Sequence, residues 1–233
     1  MLPMFRLIIF SRYPHPGSTK TRLIPALGAE GAANLHRKMA ERMVQQGRLL
    51  RDRFDLSLEI HFTGGNLQQL QAWLGSDLDY QPQVTGSLGD RLKAALQSPV
   101  ALMPFTPHFS DTEASPISDS QISHPVVIVG TDCPAISVEL LERSFQALEQ
   151  ADLVIGPACD GGYYLIGLRQ NYPELFEGIT WSSDRVFQET IDIAQRQGLA
   201  WAELEPLPDI DRPEDLLYLP PELRDLANST LQG

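Results

Sequence analysis

Cysteine is scarce in this chain: 233 residues contain only Cys133 and Cys159. Two cysteines are too few for a disulfide framework, and no histidine stands near them at the spacing of a zinc site. Such sparing use of cysteine is typical of a reducing compartment, so it predicts a cytoplasmic protein.

Long hydrophobic runs are also missing. The chain starts with the apolar stretch MLPMFRLIIFS, but Pro3 and Arg6 interrupt it and Pro14 soon ends it. This stretch is far too short to span a bilayer and makes a poor secretory signal. It predicts a first buried strand, and no membrane span is expected.

Positive charge is in deficit. The chain has 18 Lys and Arg against 30 Asp and Glu, a net charge of -12. Binding to duplex nucleic acid depends on basic surface, so no nucleic-acid partner is expected. The charge is uneven, because residues 1–53 hold ten basic and three acidic side chains, a net of +7. We expect most of this basic excess to lie on a solvated helix face.

The length and a hydrophobic content of 42% predict one globular domain spanning residues 1–233. Short apolar runs alternate with helical patterns, which predicts an α/β protein of three layers, α/β/α, with a mainly parallel sheet. Residues 56–62 alternate apolar and polar side chains and predict a half-exposed strand. Residues 99–125 are rich in Ser and Pro and predict a long surface loop. Further strands are predicted at 5–10, 126–129, 153–155, 163–168 and 199–204, and helices at 28–53, 66–73, 87–97, 137–150 and 183–197 (with Ser183 as N-cap).

The loop after the first strand carries two basic residues suited to phosphate. In open parallel sheets, ligands bind beyond the carboxyl ends of the strands. Lys20 supplies a point charge, and Arg22 supplies a bidentate fork. The loop, with Gly17, resembles a phosphate loop but fails the Walker pattern, because Thr19 precedes the lysine where glycine is required. The structural alternative is a solvated loop with two ordinary basic residues.

Asp132 follows the fully apolar run at 126–129. A carboxylate held there can bind Mg²⁺ or Mn²⁺, which takes its remaining ligands from water and substrate phosphates. The alternative is an ordinary turn or N-cap aspartate. Cys133, its neighbour, is expected to be a small buried residue and not a nucleophile, since no histidine base is evident.

Two further acidic segments are candidates. Asp160, in Asp-Gly-Gly-Tyr, could accept hydrogen bonds from sugar-like hydroxyls, or could belong to a tight turn. Asp211 precedes a helix that has Pro213 in its first turn. It could be a second carboxylate for a metal ion, or simply a cap.

Taken together, these segments resemble a known family. It is the bacterial nucleotide-diphospho-sugar transferase superfamily, and within it the glycosyltransferase-like group associated with radical-SAM and selenodomain proteins. The resemblance covers nearly the whole chain except residues 99–125. The matching segments are residues 10–14 with Gly17, residues 20–23, Gly86 with residues 88–92, residues 130–134, Gly156 and Pro157 with residues 160–165, Trp181 and Ser182, and residues 209–211 with 213–216.

The resemblance implies a GT-A-type fold and a nucleotide-activated substrate. It gives Asp132 and Asp211 the role of ligands for Mg²⁺ or Mn²⁺, and it gives Lys20, Arg22 and Asp132 catalytic roles. The segment around Arg91 would meet the nucleotide, and the segment from Asp160 would line the acceptor or sugar side. The implied substrate-binding residues are Ser11, Gly17, Gly86, Gly89, Arg91, Asp160, Gly161, Gly162 and Tyr163.

Three functions are compatible with these residues. Transfer from a nucleotide-activated sugar to a small-molecule acceptor ranks first, narrowly. Nucleotidyl transfer from a nucleoside triphosphate to a phosphorylated metabolite, with release of pyrophosphate, ranks second. The third is a regulatory domain that binds nucleotide without turnover. The sequence does not decide the oligomeric state, and a homo-oligomer is compatible with it.

Overall fold

The computed structural model describes residues 5–98 and 124–224, and seven strands in that part of the chain form one sheet. The strands are β1 (Phe5–Arg12), β2 (Leu56–Thr63), β3 (Asp79–Pro82), β4 (Val126–Val129), β5 (Leu153–Pro157), β6 (Tyr163–Leu168) and β7 (Trp201–Glu203). Their order across the sheet is β3-β2-β1-β4-β6-β5-β7. Only β6 runs antiparallel to its neighbours, β4 and β5, so the sheet is mainly parallel, as predicted.

Helices cover both faces of the sheet and complete the three layers. They are α1 (Ile24–Arg51), α2 (Leu67–Leu74), α3 (Leu88–Gln97), α4 (Val138–Ala147) and α5 (Val186–Arg196). Apolar side chains of α1, α2 and α4 pack in one buried cluster with the sheet, and those of α3 and α5 pack in another. Helix α1 is interrupted at Gly28, where φ is 69° and ψ is 168°. The α/β/α prediction is therefore confirmed.

Three helices begin with a capping side chain, and one predicted cap does not form. Asn66, Ser87 and Ser137 each accept a hydrogen bond from the backbone N–H three residues later. Ser183 was expected to cap α5, and this prediction is wrong. Its hydroxyl donates to the carbonyl of Thr180 at 2.7 Å, and α5 begins only at Val186, because the chain turns before the helix starts.

The predicted half-exposed strand is buried on both faces. Every residue of β2 from Leu56 to Phe62 is buried, because β2 lies between β1 and β3 and is covered by helices. Its polar side chains face a buried cation: Arg6 Nε lies 2.7 Å from Glu59 Oε1, and His61 Nε2 lies 3.2 Å from Glu59 Oε2. Ser57 Oγ also donates to Glu59, at 3.2 Å. The polar residues of the alternating pattern therefore belong to a buried ion-pair network and not to a solvated face.

The predicted loop at 99–125 lies outside the described residues, apart from His124 and Pro125. That residues 1–233 form a single domain stays a prediction. No helix within 5–98 and 124–224 is long and apolar enough to cross a membrane.

Candidate functional site

A cleft of about 580 Å³ opens at the carboxyl ends of β1 and β4. Strand β1 runs parallel to β4, so the loops that follow both strands emerge at this edge of the sheet. Seven of the predicted site residues line the cleft: Ser11, Lys20, Arg22, Arg91, Asp132, Tyr163 and Asp211.

Lys20 lies at the centre of the charged part of the cleft. Its Nζ lies 2.9 Å from Asp132 Oδ1 and 3.8 Å from Asp211 Oδ1. The lysine side chain is only 4% exposed, whereas that of Asp132 is 53% exposed. Its backbone adopts the left-handed conformation, with φ at 50° and ψ at 48°, which is uncommon for a residue with a side chain. Strain of this kind persists where the surrounding structure imposes it, as it often does at functional sites.

Backbone contacts bring the two aspartates together. The N–H of Ile210 donates to the carbonyl of Asp132 at 2.9 Å, which docks the segment containing Asp211 against the loop after β4. Asp215 accepts from the N–H groups of both Asp211 and Arg212 at the start of the 3-10 helix Pro213–Tyr218. Asp215 thus has the capping role considered for Asp211. The Asp211 carboxylate is left to pair with Lys20 and Arg22.

The donor set suits a divalent metal whose coordination is completed by substrate. Within the described residues, no group of three or more His, Cys, Asp or Glu side chains could hold a metal ion. The carboxylates of Asp132 and Asp211 nevertheless converge on one cationic group, the ammonium of Lys20. Mg²⁺ commonly uses one or two carboxylates together with water and substrate phosphates. The two aspartates fit that arrangement.

The Asp-Gly-Gly segment forms a turn between β5 and β6 and does not line the cleft. Asp160 Oδ1 accepts from the N–H of Gly162 at 2.9 Å. Gly161 has φ at 89°, and a Cβ there would lie 2.1 Å from the carbonyl oxygen of Asp184. These contacts are those of the turn considered as an alternative. The substrate-binding role of Asp160, Gly161 and Gly162 stays a prediction.

The other three predicted glycines also lie outside the cleft lining. Gly17 and Gly86 have positive φ angles of 80° and 128° in their loops. A Cβ on Gly89 would lie 2.7 Å from the ring of Trp181, so glycine there allows α3 to approach that ring. Their substrate-binding roles stay predictions as well.

His36 lines the cleft, although sequence reasoning passed over it. Its Nε2 lies 2.9 Å from the carbonyl oxygen of Arg12, so that nitrogen must carry a proton. Burial lowers the pKa of His36, and the nearby charge of Asp132 only partly opposes this effect. His36 is therefore a neutral polar group in the wall of the cleft. A single histidine in a helical pattern gives no signal of such a position.

Asp209 is a further acidic residue near Lys20, two positions before Asp211. Burial raises its pKa, and the charge of Asp160 adds to the effect. Lys20 opposes it, so Asp209 lies within the electrostatic reach of the same lysine. The acidic surroundings of Lys20 thus extend beyond the two aspartates that it contacts.

The cleft carries more positive than negative charge. Four basic residues and two acidic ones line it, a net of +2 in a chain of net charge -12. Lys20 and Arg22 pair with the aspartates, whereas Arg12 and Arg91 form no ion pair with any described residue. A lining of this charge favours a polyanionic ligand. The lining basic residues are Arg12, Lys20, Arg22 and Arg91, and the acidic ones are Asp132 and Asp211.

Solved structures of known proteins share this fold. A protein from Desulfovibrio desulfuricans G20, provisionally assigned as a nucleotide-diphospho-sugar transferase, is 28% identical with a TM-score of 0.80, covering 98% of this chain and 97% of that one. The 4-diphosphocytidyl-2C-methyl-D-erythritol synthase of Anaerococcus prevotii is 10% identical with a TM-score of 0.51, covering 100% of both chains. The fold is that of the nucleotide-diphospho-sugar transferases, as the sequence resemblance implied.

A curated relative is similar over a shorter stretch. The 2-phospho-L-lactate guanylyltransferase of Methanopyrus kandleri is 32% identical over 95 residues, which are 39% of this chain. The chain thus spans about half of that relative, 47% of its length.

A family model covers a larger part of the chain. The model described as "Uncharacterized protein conserved in bacteria (DUF2064)" matches residues 48–183. The match spans more than half of the chain and includes Arg91, Asp132 and Asp160. This protein therefore belongs to the DUF2064 family.

Proposed function

We propose that the protein is a nucleotidyltransferase that joins a nucleoside triphosphate to a small phosphorylated metabolite and releases pyrophosphate. The observation that carries this proposal is the pairing of Lys20 and Arg22 with Asp132 and Asp211 in one cleft. Basic groups suit the phosphates, and paired carboxylates suit the divalent cation that accompanies a triphosphate.

The reaction is a substitution at the α-phosphate. An oxygen of the acceptor phosphate forms a bond to the α-phosphorus, and the bond from that phosphorus to the β-bridging oxygen breaks. Pyrophosphate leaves with the bonding electrons. Negative charge increases on the α-phosphate oxygens in the transition state, where Lys20 and Arg22 can donate hydrogen bonds.

A divalent ion, when bound, would neutralise the charge of the triphosphate. Asp132 and Asp211 are the residues that would hold it, and we expect it to be Mg²⁺ or Mn²⁺. Asp132 is half exposed and can accept a hydrated ion from solvent. Both carboxylates already face a cation, so they need not change direction to bind another.

We now rank nucleotidyl transfer ahead of glycosyl transfer, which reverses the order based on sequence. Sequence resemblance favoured glycosyl transfer narrowly. The guanylyltransferase relative favours nucleotidyl transfer, and so does the chemistry of a basic first loop. Membership of the radical-SAM-associated glycosyltransferase group stays a prediction. Because of the guanylyltransferase relative, GTP is the first nucleotide to test.

The test is release of pyrophosphate. The purified protein is incubated with each of GTP, CTP, ATP and UTP, Mg²⁺ or Mn²⁺, and a panel of phosphorylated sugars and hydroxy acids. We expect pyrophosphate with at least one pair, and its loss in Lys20→Ala. The partly exposed Lys38, which pairs with Glu41 outside the cleft, provides the control Lys38→Ala. Absence of pyrophosphate across the panel would falsify the proposal.

Glycosyl transfer remains the second candidate, because the Desulfovibrio protein is assigned to the nucleotide-diphospho-sugar transferases. It predicts release of a nucleoside diphosphate from a nucleotide-sugar and no pyrophosphate from triphosphates. A regulatory domain predicts tight nucleotide binding with neither product. The same panel, extended to nucleotide-sugars, separates all three functions.

A further inference from the structure

Gln83 is held at the end of β3 with its side-chain amide in one orientation. Its backbone N–H donates to the carbonyl of Phe62 at 2.8 Å, and its side-chain Nε2 lies 2.7 Å from the carbonyl oxygen of His61. A carbonyl oxygen can only accept, so the amide nitrogen must be the atom that faces it. Gln83 lines the cleft, and its Oε1 receives no hydrogen bond from any described residue. Gln83 therefore offers the cleft a fixed acceptor.

Arg91 offers the same cleft a set of donors. It lies in the first turn of α3, lines the cleft and forms no ion pair with the described residues. Its Nε is buried and has no hydrogen-bond partner. A buried donor without a partner carries a free-energy cost that a ligand can relieve. Leu88, the first residue of α3, also lines the cleft and is 42% exposed, so it adds an apolar surface to this wall.

Gln83 lies away from the charged centre of the cleft. Gln83 follows β3, whereas Asp132 follows β4, and the sheet order places these strands three positions apart. With neighbouring strands about 4.8 Å apart, the separation is roughly 14 Å. A nucleotide whose phosphates lie at Lys20 would extend toward Gln83 with its base. An apolar wall with one fixed acceptor and one set of donors is suited to a nucleobase.

We propose that Gln83 and Arg91 read the nucleobase and select guanine or cytosine over adenine and uracil. This inference rests on the proposed binding of a nucleoside triphosphate. An arginine fork prefers two neighbouring acceptors, such as O6 and N7 of guanine or O2 and N3 of cytosine. Both bases also carry an exocyclic amino group that can donate to Gln83 Oε1. Adenine places its amino group beside N1 and N7 and has no two neighbouring acceptors, and uracil separates its two carbonyls by an N–H.

The test measures binding, so it does not depend on turnover. Dissociation constants are determined by calorimetry for GTP, CTP, ATP and UTP, and for inorganic tripolyphosphate as a ligand without a base. They are compared for wild type, Gln83→Met and Arg91→Met. Gln81→Met is the matched control, since Gln81 lies two residues earlier in β3 and does not line the cleft.

We expect wild type to bind GTP or CTP at least about tenfold more tightly than ATP and UTP. Gln83→Met should reduce that preference about three- to tenfold, the effect of one neutral hydrogen bond, and leave tripolyphosphate binding unchanged. Arg91→Met should also reduce the preference. Separate GTP and CTP titrations decide which of the two bases is read.

Other results would overturn the inference. If all four nucleotides bind equally, or if both variants keep the wild-type preference, Gln83 only caps the carbonyl of His61. If Arg91→Met weakens tripolyphosphate as much as GTP, Arg91 binds phosphate and does not read the base. These outcomes leave the proposed function standing. If wild type binds neither the nucleotides nor tripolyphosphate, the proposed function fails together with this inference.

Discussion

The ammonium of Lys20 occupies the position proposed for a divalent cation. Its ammonium contacts Asp132 and lies near Asp211, the two carboxylates proposed to bind metal. A lysine and a metal ion cannot satisfy the same carboxylate oxygens at once. Nucleotide phosphates could draw the ammonium away and leave both carboxylates to the metal. Metal and nucleotide should therefore bind together more tightly than either does alone.

This competition predicts the behaviour of Lys20→Met. Without nucleotide, the variant should bind Mn²⁺ about tenfold more tightly than wild type, because its carboxylates have lost their counter-ion. Its catalytic rate should fall by about 10²–10³, the usual effect of losing one donor to a developing charge. Electron paramagnetic resonance of free Mn²⁺ measures the first effect, and pyrophosphate release measures the second.

The control is Lys38→Met, which removes an equivalent charge outside the cleft. It should change neither the Mn²⁺ affinity nor the rate. An unchanged Mn²⁺ affinity in Lys20→Met would show that the ammonium and the metal do not compete.

The polar residues of strand β2 take part in a buried ion-pair network. Arg6 and Glu59 are 3% and 2% exposed, and they form an ion pair with two hydrogen bonds between β1 and β2. Arg6 also donates to Ser98 at the end of α3, at 3.1 Å. The pair thus links two strands to a helix that carries part of the cleft wall.

Glu59→Gln should destabilise the protein by about 3–5 kcal/mol, because it leaves the Arg6 charge buried without a counter-ion. The free energy of unfolding in urea at pH 7 measures the effect. Glu222→Gln, which breaks the exposed pair with Arg42, should cost about 1 kcal/mol or less. Arg6→Met combined with Glu59→Leu should recover much of the loss. A Glu59→Gln variant as stable as Glu222→Gln would contradict the prediction.

The stability lost in Glu59→Gln should depend on pH. Burial tends to raise the pKa of Glu59, but hydrogen bonds from His61 and Arg6 outweigh it, and the pKa is lower than usual. A carboxyl with a lower pKa in the folded state stabilises the fold above its unfolded pKa of about 4.3. That contribution is lost as the pH falls further, through the folded pKa. The difference between wild type and Glu59→Gln should therefore shrink from pH 7 to pH 3.

Local patterns predicted most elements, but they did not show which strand lies inside the sheet. The apolar run of β4 and the helical patterns that start at Asn66, Ser87 and Ser137 are local signals, and they placed their elements correctly. The alternation in β2 was misleading, because the partner of Glu59 is 53 residues away in sequence. Strand β3 has four residues and ends in Pro82, so no pattern marked it. Pairing and burial of this kind become visible only in the folded sheet.

The whole molecule brings the candidate site together from distant segments. Lys20, Asp132 and Asp211 could be predicted as residues that follow strands or precede a helix. Their contacts could not, because they depend on the Ile210–Asp132 backbone bond and on the β1–β4 pairing. Gln83 and His36 gave no sequence signal, since one ends a short strand and the other lies on a long helix.

Charge is distributed unequally over the molecule, and this predicts how ligand binding responds to salt. A cleft of net charge +2 on a chain of -12 should attract phosphates locally while most of the surface repels them.

A nucleoside triphosphate with Mg²⁺ at a hundred times its Kd should stabilise the protein by about 2.7 kcal/mol. For a chain of this size, that raises Tm by roughly 5–10 °C. The matching nucleoside without phosphates should raise Tm far less, because it lacks the groups that Lys20 and Arg22 bind.

Raising the salt from 0.05 to 0.5 M should reduce the rise in Tm that the triphosphate causes, since the Debye length falls well below 10 Å. Thermal unfolding of the protein without ligand in both salts provides the baseline. An equal shift from the nucleoside and the triphosphate would show that the basic cleft does not bind the phosphates.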